Sequence, residues 1–178
     1  MGATPTNILV SVVDPVACIK VTGRANFSVS VDFKTLLYEL HDRGFRLFLL
    51  DLSECVIMDS TFLGILSGFS SKLSEESKNS KTPCVQMLNT NDRVKALIEN
   101  LGVEQLFKFR TGANPFNPNF EEVKQNPDQA KSDVTRTCLL AHETLMLINP
   151  NNVPKFKDVT KFLAEDLKKE ESSESSQK

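Results

Sequence analysis

The chain has no tryptophan and a single tyrosine, Tyr38, so its twelve phenylalanines carry the aromatic packing. It is also poor in the residues that build metal centres. There are four cysteines, Cys18, Cys55, Cys84 and Cys138, and two histidines, His41 and His142. The cysteine spacings fit no zinc or CxxC pattern. Three of them lie in or beside apolar strand-like runs and Cys138 sits on a helical stripe, so they read as small buried hydrophobes in a reducing, cytoplasmic setting. Both histidines fall in amphipathic helical patterns, where packing is expected rather than a metal or a catalytic triad. No apolar run approaches the roughly 20 residues that cross a bilayer, which argues against stable membrane insertion. Residues 1–6 lack the charged and apolar regions of an export signal, although Gly2 and Thr6 satisfy a loose acylation spacing. Neither charge sign is in excess: the net charge is −2, so no basic field points to nucleic acid.

What is present is an ordinary globular composition, 40% hydrophobic and 25% charged over 178 residues. That fits one domain with an appendage. Residues 8–13 and 16–22 are apolar runs around Asp14-Pro15 and predict a hairpin. Helix caps at Ser28 and Ser30 precede Phe33, Leu36, Leu37 and Leu40 at helical spacing, ending near Gly44. Residues 45–50 are a continuous apolar run, predicting a strand covered on both faces. Residues 55–58 read as a short apolar approach to Asp59-Ser60-Thr61, after which Phe62, Ile65, Leu66, Phe69 and Leu73 mark one helix face. A strand at 84–88 follows, then a helix capped by Asn91 or Asp92, then a last strand at 106–109. The order ββαβαβαβ implies an α/β fold with a mixed, mostly parallel sheet opened by a hairpin.

Beyond residue 110 the character changes. Residues 111–129 carry Gly112, Pro115, Pro118 and Pro127 and read as a linker. Residues 130–168 predict a C-terminal helical hairpin. Val134, Cys138, Ala141, Leu145 and Ile148 mark one helix; Phe156, Val159, Leu163 and Leu167 mark the other, with Pro154 in its first turn. Two such stripes need a surface to cover them, either the chain's own domain or a second copy in a homodimer. Leu145, Ile148, Phe156, Leu163 and Leu167 are expected to be buried. Residues 169–178 have no apolar side chain and predict a disordered tail.

The segment from Leu49 to Leu66 holds the chemistry. A buried strand leads through a short loop to Asp59-Ser60 at a helix start. Read alone, both residues are helix N-caps. A hydroxyl there is also well placed to carry a phosphate, because backbone N–H groups and the helix dipole stabilise the added charge.

This segment resembles the signature of STAS-domain anti-sigma factor antagonists, an Asp-Ser pair followed by a small residue and Gly-Leu-Gly. The resemblance continues through Val21-Thr22-Gly23-Arg24 and through residues 91–107, and it covers about residues 8–110 as a STAS domain within 1–110. It implies that Ser60 is the phosphorylated residue, with Asp59, Thr61, Phe62, Gly23, Arg24 and Asn26 forming the partner surface. Its implied partners are an anti-sigma factor that is also a serine kinase, sequestered while Ser60 is unphosphorylated, and a serine phosphatase. The alternative within the fold is a STAS scaffold or regulatory subunit of a signalling complex or of a lipid or anion transport system. Two positions depart from the signature: Phe62 replaces a usual glycine, and Asn26 a common aspartate. The chain shows no glycine-rich phosphate loop, paired catalytic acids or metal cluster, so the expectation is a binding module without cofactor, not an enzyme.

Overall fold

The computed structural model of the protein describes residues 4–177, and Gly2 of the acylation spacing lies outside them. β1 (Asn7–Val13) and β2 (Val16–Ala25) form the expected antiparallel hairpin, with Ile8 opposite Val21 and Val10 opposite Ile19. Then come α1 (Ser30–Asp42), β3 (Leu47–Asp51), β4 (Cys55–Met58), α2 (Ser60–Glu76), β5 (Val85–Leu88), α3 (Asp92–Asn100) and β6 (Phe107–Arg110). The strands order as β6-β5-β3-β2-β1, with every pair parallel except the hairpin. Residues 55–58 are a full strand rather than an approach. At ten residues, β2 is long enough to pair β3 along its first half and β4 along its second. The register shifts between Gly23 and Arg24, where the two partners change over.

Alternation along β2 separates two cores, since successive side chains point to opposite faces. Ala17, Ile19 and Val21 join Phe33, Leu37, Phe62, Leu66 and Phe69 of α1 and α2 in the main core. Val16 and Cys18 face the other way, meeting Leu49 and Leu88 in a smaller cluster. Phe116 and Phe120 cover that cluster. Residues 111–129 are therefore more than a linker. They lie over the second face of the sheet and add β7 (Glu121–Glu122) to the free edge of β1. This accounts for the two-sided burial of β3 that its apolar run predicts.

The C-terminal hairpin is α4 (Lys131–Ile148) and α5 (Val153–Ser175), joined by the 3₁₀ turn Pro150–Asn152. α4 runs along α2 in the same direction. A Cβ on Gly64 would lie 2.5 Å from the Ala141 carbonyl oxygen, and one on Gly68 would lie 3.0 Å from Thr144 Cγ2. The two glycines thus let the backbones approach far closer than side chains would allow. The hairpin docks on its own domain, as one of the two expected versions has it. Leu145 is fully buried, whereas Ile148, Phe156, Leu163 and Leu167 are only half-buried.

Two expectations for α5 need correction. Its inward seam is Phe156, Thr160, Leu163 and Leu167, while Val159 faces solvent together with Phe162. A helix packed chiefly along one neighbour needs only a narrow stripe, and spacings of four, three and four provide it. The helix also continues to Ser175, across residues that composition assigns to a disordered tail. Lys131 pairs with Glu170, Arg136 with Glu171, and Ser132 donates to Glu174. The tail's acids are thus met by the basic and hydroxyl groups at the start of α4.

Candidate functional site

Everything that places Asp59 and Ser60 follows from β4 ending where α2 begins. The Asp59 N–H donates to the Ala25 carbonyl at 2.9 Å, extending the β2–β4 pairing to the last residue before the helix. Asp59 is the N-cap: its Oδ1 accepts the Phe62 N–H at 2.8 Å. Its Oδ2 accepts the Phe27 N–H, also at 2.8 Å. One carboxylate therefore clamps the start of α2 to the turn that follows β2. Burial pushes the Asp59 carboxyl above the usual range, opposed by the hydrogen bonds from Phe62 and Phe27 and by the proximity of His142. Asn26 organises the same turn, its Oδ1 accepting from the Ser28 N–H at 3.1 Å and the Ser28 hydroxyl at 2.6 Å.

Ser60 is the first residue of α2, and its hydroxyl does not cap the helix. Instead Ser60 Oγ lies 2.9 Å from His142 Nε2, on α4. His142 Nδ1 is 2.7 Å from the Cys138 carbonyl, which can only accept. Nδ1 therefore carries the proton, and in the neutral ring Nε2 accepts the hydroxyl of Ser60. The ring is buried and packs against Phe156 of α5 at 4.8 Å between centroids. Beside it, burial pushes the Cys138 thiol up, against the pull of a hydrogen bond with Thr61. His142 is not among the residues expected at the site from the sequence.

The other residues expected at a partner surface divide sharply. Arg24 is exposed, and Asn26, Asp59 and Ser60 are partly so. Gly23, Thr61 and Phe62 are buried. Gly23 has φ of +74° and its hydrogens face the Pro5 carbonyl, where a Cβ would sit 2.6 Å away. Phe62 is 0% exposed and stacks on Phe33, with centroids 4.0 Å apart and planes 15° from parallel. It is a core residue and touches no surface that a partner could reach. In its place the exposed apolar side chains around the site are Phe27 at 53%, Val56 at 47% and Ile57 at 42%. Ile57 lies opposite Arg24 in the β2–β4 pairing.

Among the described residues no group of three or more histidine, cysteine or acidic side chains is placed to hold a metal ion, and no helix is long and apolar enough to cross a membrane.

No family model matches the sequence, and no curated protein matches it. Solved structures do. An anti-sigma factor antagonist from Mycobacterium paratuberculosis superposes on 61% of this chain and 89% of its own, at 18% identity and a TM-score of 0.51. A provisionally assigned anti-sigma factor antagonist from Thermotoga maritima covers 58% of this chain and 85% of its own, at 18% identity and a TM-score of 0.49. More than a third of this chain thus has no counterpart in either. The chain has the STAS-like α/β fold of the mycobacterial antagonist.

Proposed function

We propose that this protein is an anti-sigma factor antagonist, a binding module switched by phosphorylation of Ser60. The observation that carries the reading is the position of Ser60. It is the first residue of α2, directly after a carboxylate that ties the helix start to the turn after β2. A phosphate there would meet the N-terminal end of the helix dipole, which favours negative charge. It would also add about −1.5 to −2 of charge beside half-buried Asp59, changing the surface on which a partner sits. Exposed Phe27 lies beside Asp59, and exposed Ile57 lies opposite Arg24 at the end of the strand that leads to the switch, so apolar and cationic groups suited to a partner with apolar and acidic groups stand nearby.

In this reading the unphosphorylated chain sequesters an anti-sigma factor that is itself a serine kinase, and a serine phosphatase resets the switch. The protein works in the cytoplasm, needs no cofactor and catalyses nothing. The test uses a serine kinase of the anti-sigma type with ATP, with the phosphate mapped by mass spectrometry and binding followed by calorimetry. Phosphate lands on Ser60, Ser60→Ala binds the kinase as wild type does, and folded Ser60→Asp binds at least tenfold more weakly. Phosphate on Thr61 alone, or unchanged affinity of Ser60→Asp, refutes the switch. The second reading is a STAS scaffold or a regulatory subunit of a signalling or transport assembly. It is favoured by one observation, that α4 lies over the serine, and copurification with such an assembly would support it.

A further inference from the structure

The hydroxyl on which the proposed switch turns is already engaged. Ser60 Oγ is hydrogen-bonded to His142 Nε2, and the ring is locked in orientation by the Cys138 carbonyl. One turn further on, the backbone of α4 sits against Gly64, and the next turn meets Gly68. α4 extends seven residues beyond Cys138 toward its start, about 10 Å at 1.5 Å per residue. That length overhangs the beginning of α2 and packs toward α1.

We propose that the α4–α5 hairpin is a built-in cap on Ser60, which lifts from α2 before the serine is modified or a partner docks on the helix start. What it regulates rests on the antagonist reading; the cap itself rests on geometry alone. The composition of the buried side chains of α4 shows why such a cap opens. The buried residues of α4 are Ser132, Thr135, Thr137, Ala141, His142 and Leu145. Only two of the six, Ala141 and Leu145, are apolar, and these join the main core, while Ser132 faces Glu174 of α5. A helix that adds only two fully apolar buried side chains to the core is held less firmly than the helices that build it, and it opens more readily. The anchor at the hairpin turn is polar too: Asn149 and Asn152 both donate to the Leu101 carbonyl. Within the hairpin, Phe156 against His142 and the pairs of Lys131 and Arg136 with Glu170 and Glu171 hold α5 to α4, so the two helices move together.

The experiment uses the full chain carrying Ser60→Cys and measures the labelling rate of the introduced thiol with iodoacetamide. Peptide mass spectrometry separates it from the four native cysteines. The cap predicts labelling at least tenfold slower than in the urea-unfolded chain. Adding Leu145→Ala, which removes the hairpin's fully buried leucine from the main core, raises the rate at least tenfold. Adding Gly64→Ala does the same by a different route, because its methyl group meets the Ala141 carbonyl. Far-UV circular dichroism and hydrogen exchange over residues 8–110 show in each case that the sheet persists. Labelling at the unfolded rate without either loosening substitution overturns the proposal. So does slow labelling that neither substitution accelerates, since the protection would then come from α2 itself. With native Ser60, a serine kinase of the anti-sigma type phosphorylates Leu145→Ala faster than wild type. If neither form accepts phosphate while the thiol behaves as predicted, the cap stands and the antagonist reading fails.

Discussion

Phe62 is the position at which a surface role and a core role give opposite results. It follows Ser60 by two residues, and it stands where the signature that this segment resembles usually has glycine. The structure closes it off completely and stacks it on Phe33. Phe62→Ala therefore removes a buried ring from the main core. Such truncations cost about 3–5 kcal/mol from lost transfer energy and the residual cavity. Of that, roughly 0.5–1.5 kcal/mol belongs to the ring pair beyond its buried area. The better helix propensity of alanine returns at most about 0.7 kcal/mol, so the sign is not in question. Taking a urea m-value of about 2 kcal/mol/M, the unfolding midpoint falls by roughly 1.5–2.5 M. Urea titration followed by far-UV circular dichroism reads this directly, with Phe62→Leu falling between the two. A midpoint shift below about 0.5 M at unchanged m-value would refute the core assignment, because no fully buried stacked ring is lost so cheaply. A partner-contact role predicts the reverse: unchanged stability and lost affinity.

Two further predictions concern polar groups at the edges of the same site. Asn152 is fully buried and its side chain donates to the Leu101 and Leu145 carbonyls at 3.0 and 2.9 Å, so Asn152→Ala removes two buried hydrogen bonds and leaves each carbonyl with Asn149 as its remaining donor. It should destabilise by about 1–3 kcal/mol in urea unfolding, and a change under 0.5 kcal/mol, the roughly neutral range of surface substitutions, would show that the turn is not anchored there. Asp59 has a folded pKa raised by burial, so the native state holds more protons than the unfolded chain above about pH 3.9. Its contribution is then fully present below that value and is lost as pH rises through the folded pKa. Wild type should therefore lose stability relative to Asp59→Asn across that window and run parallel to it above; a relative gain with rising pH would overturn the assignment.

Much of the domain could be read from side-chain period, because its elements are short and their apolar residues fall on regular faces. The hairpin, the buried β3 run and the helix start at Asp59-Ser60 all lie where alternation, continuous apolarity and capping chemistry put them. Phe62 shows the same logic prevailing over resemblance. Helical spacing groups it with Ile65, Leu66, Phe69 and Leu73 on one buried face, and the structure sides with that spacing. Residues 111–129 were harder to read, because two phenylalanines among prolines and asparagines do not form a period. They nonetheless cover Val16, Leu49 and Leu88. The end of α5 is a different case. Its acids have no apolar stripe, and only their placement opposite Lys131 and Arg136 gives them partners.

His142 was illegible for a reason that points back to the sequence. It is 82 residues from Ser60, and a histidine on an amphipathic helix looks the same whether its ring meets a phenylalanine or a hydroxyl. The signal that could have found it lies on the opposite helix. α2 is otherwise rich in large apolar side chains, yet it carries Gly64 and Gly68 four residues apart, one above the other on a single face. Two glycines so spaced cost a helix roughly 0.8–1.0 kcal/mol each relative to alanine, a cost without return unless another backbone comes close. The segment with a small residue at matching pitch is α4, where Ala141 precedes His142 directly. Setting Ala141 against Gly64 places the adjacent ring one turn earlier along α2, beside Ser60. Geometry at the glycines therefore fixes the histidine, and the cap over Ser60 follows from the same two residues that make α2 a costly helix on its own.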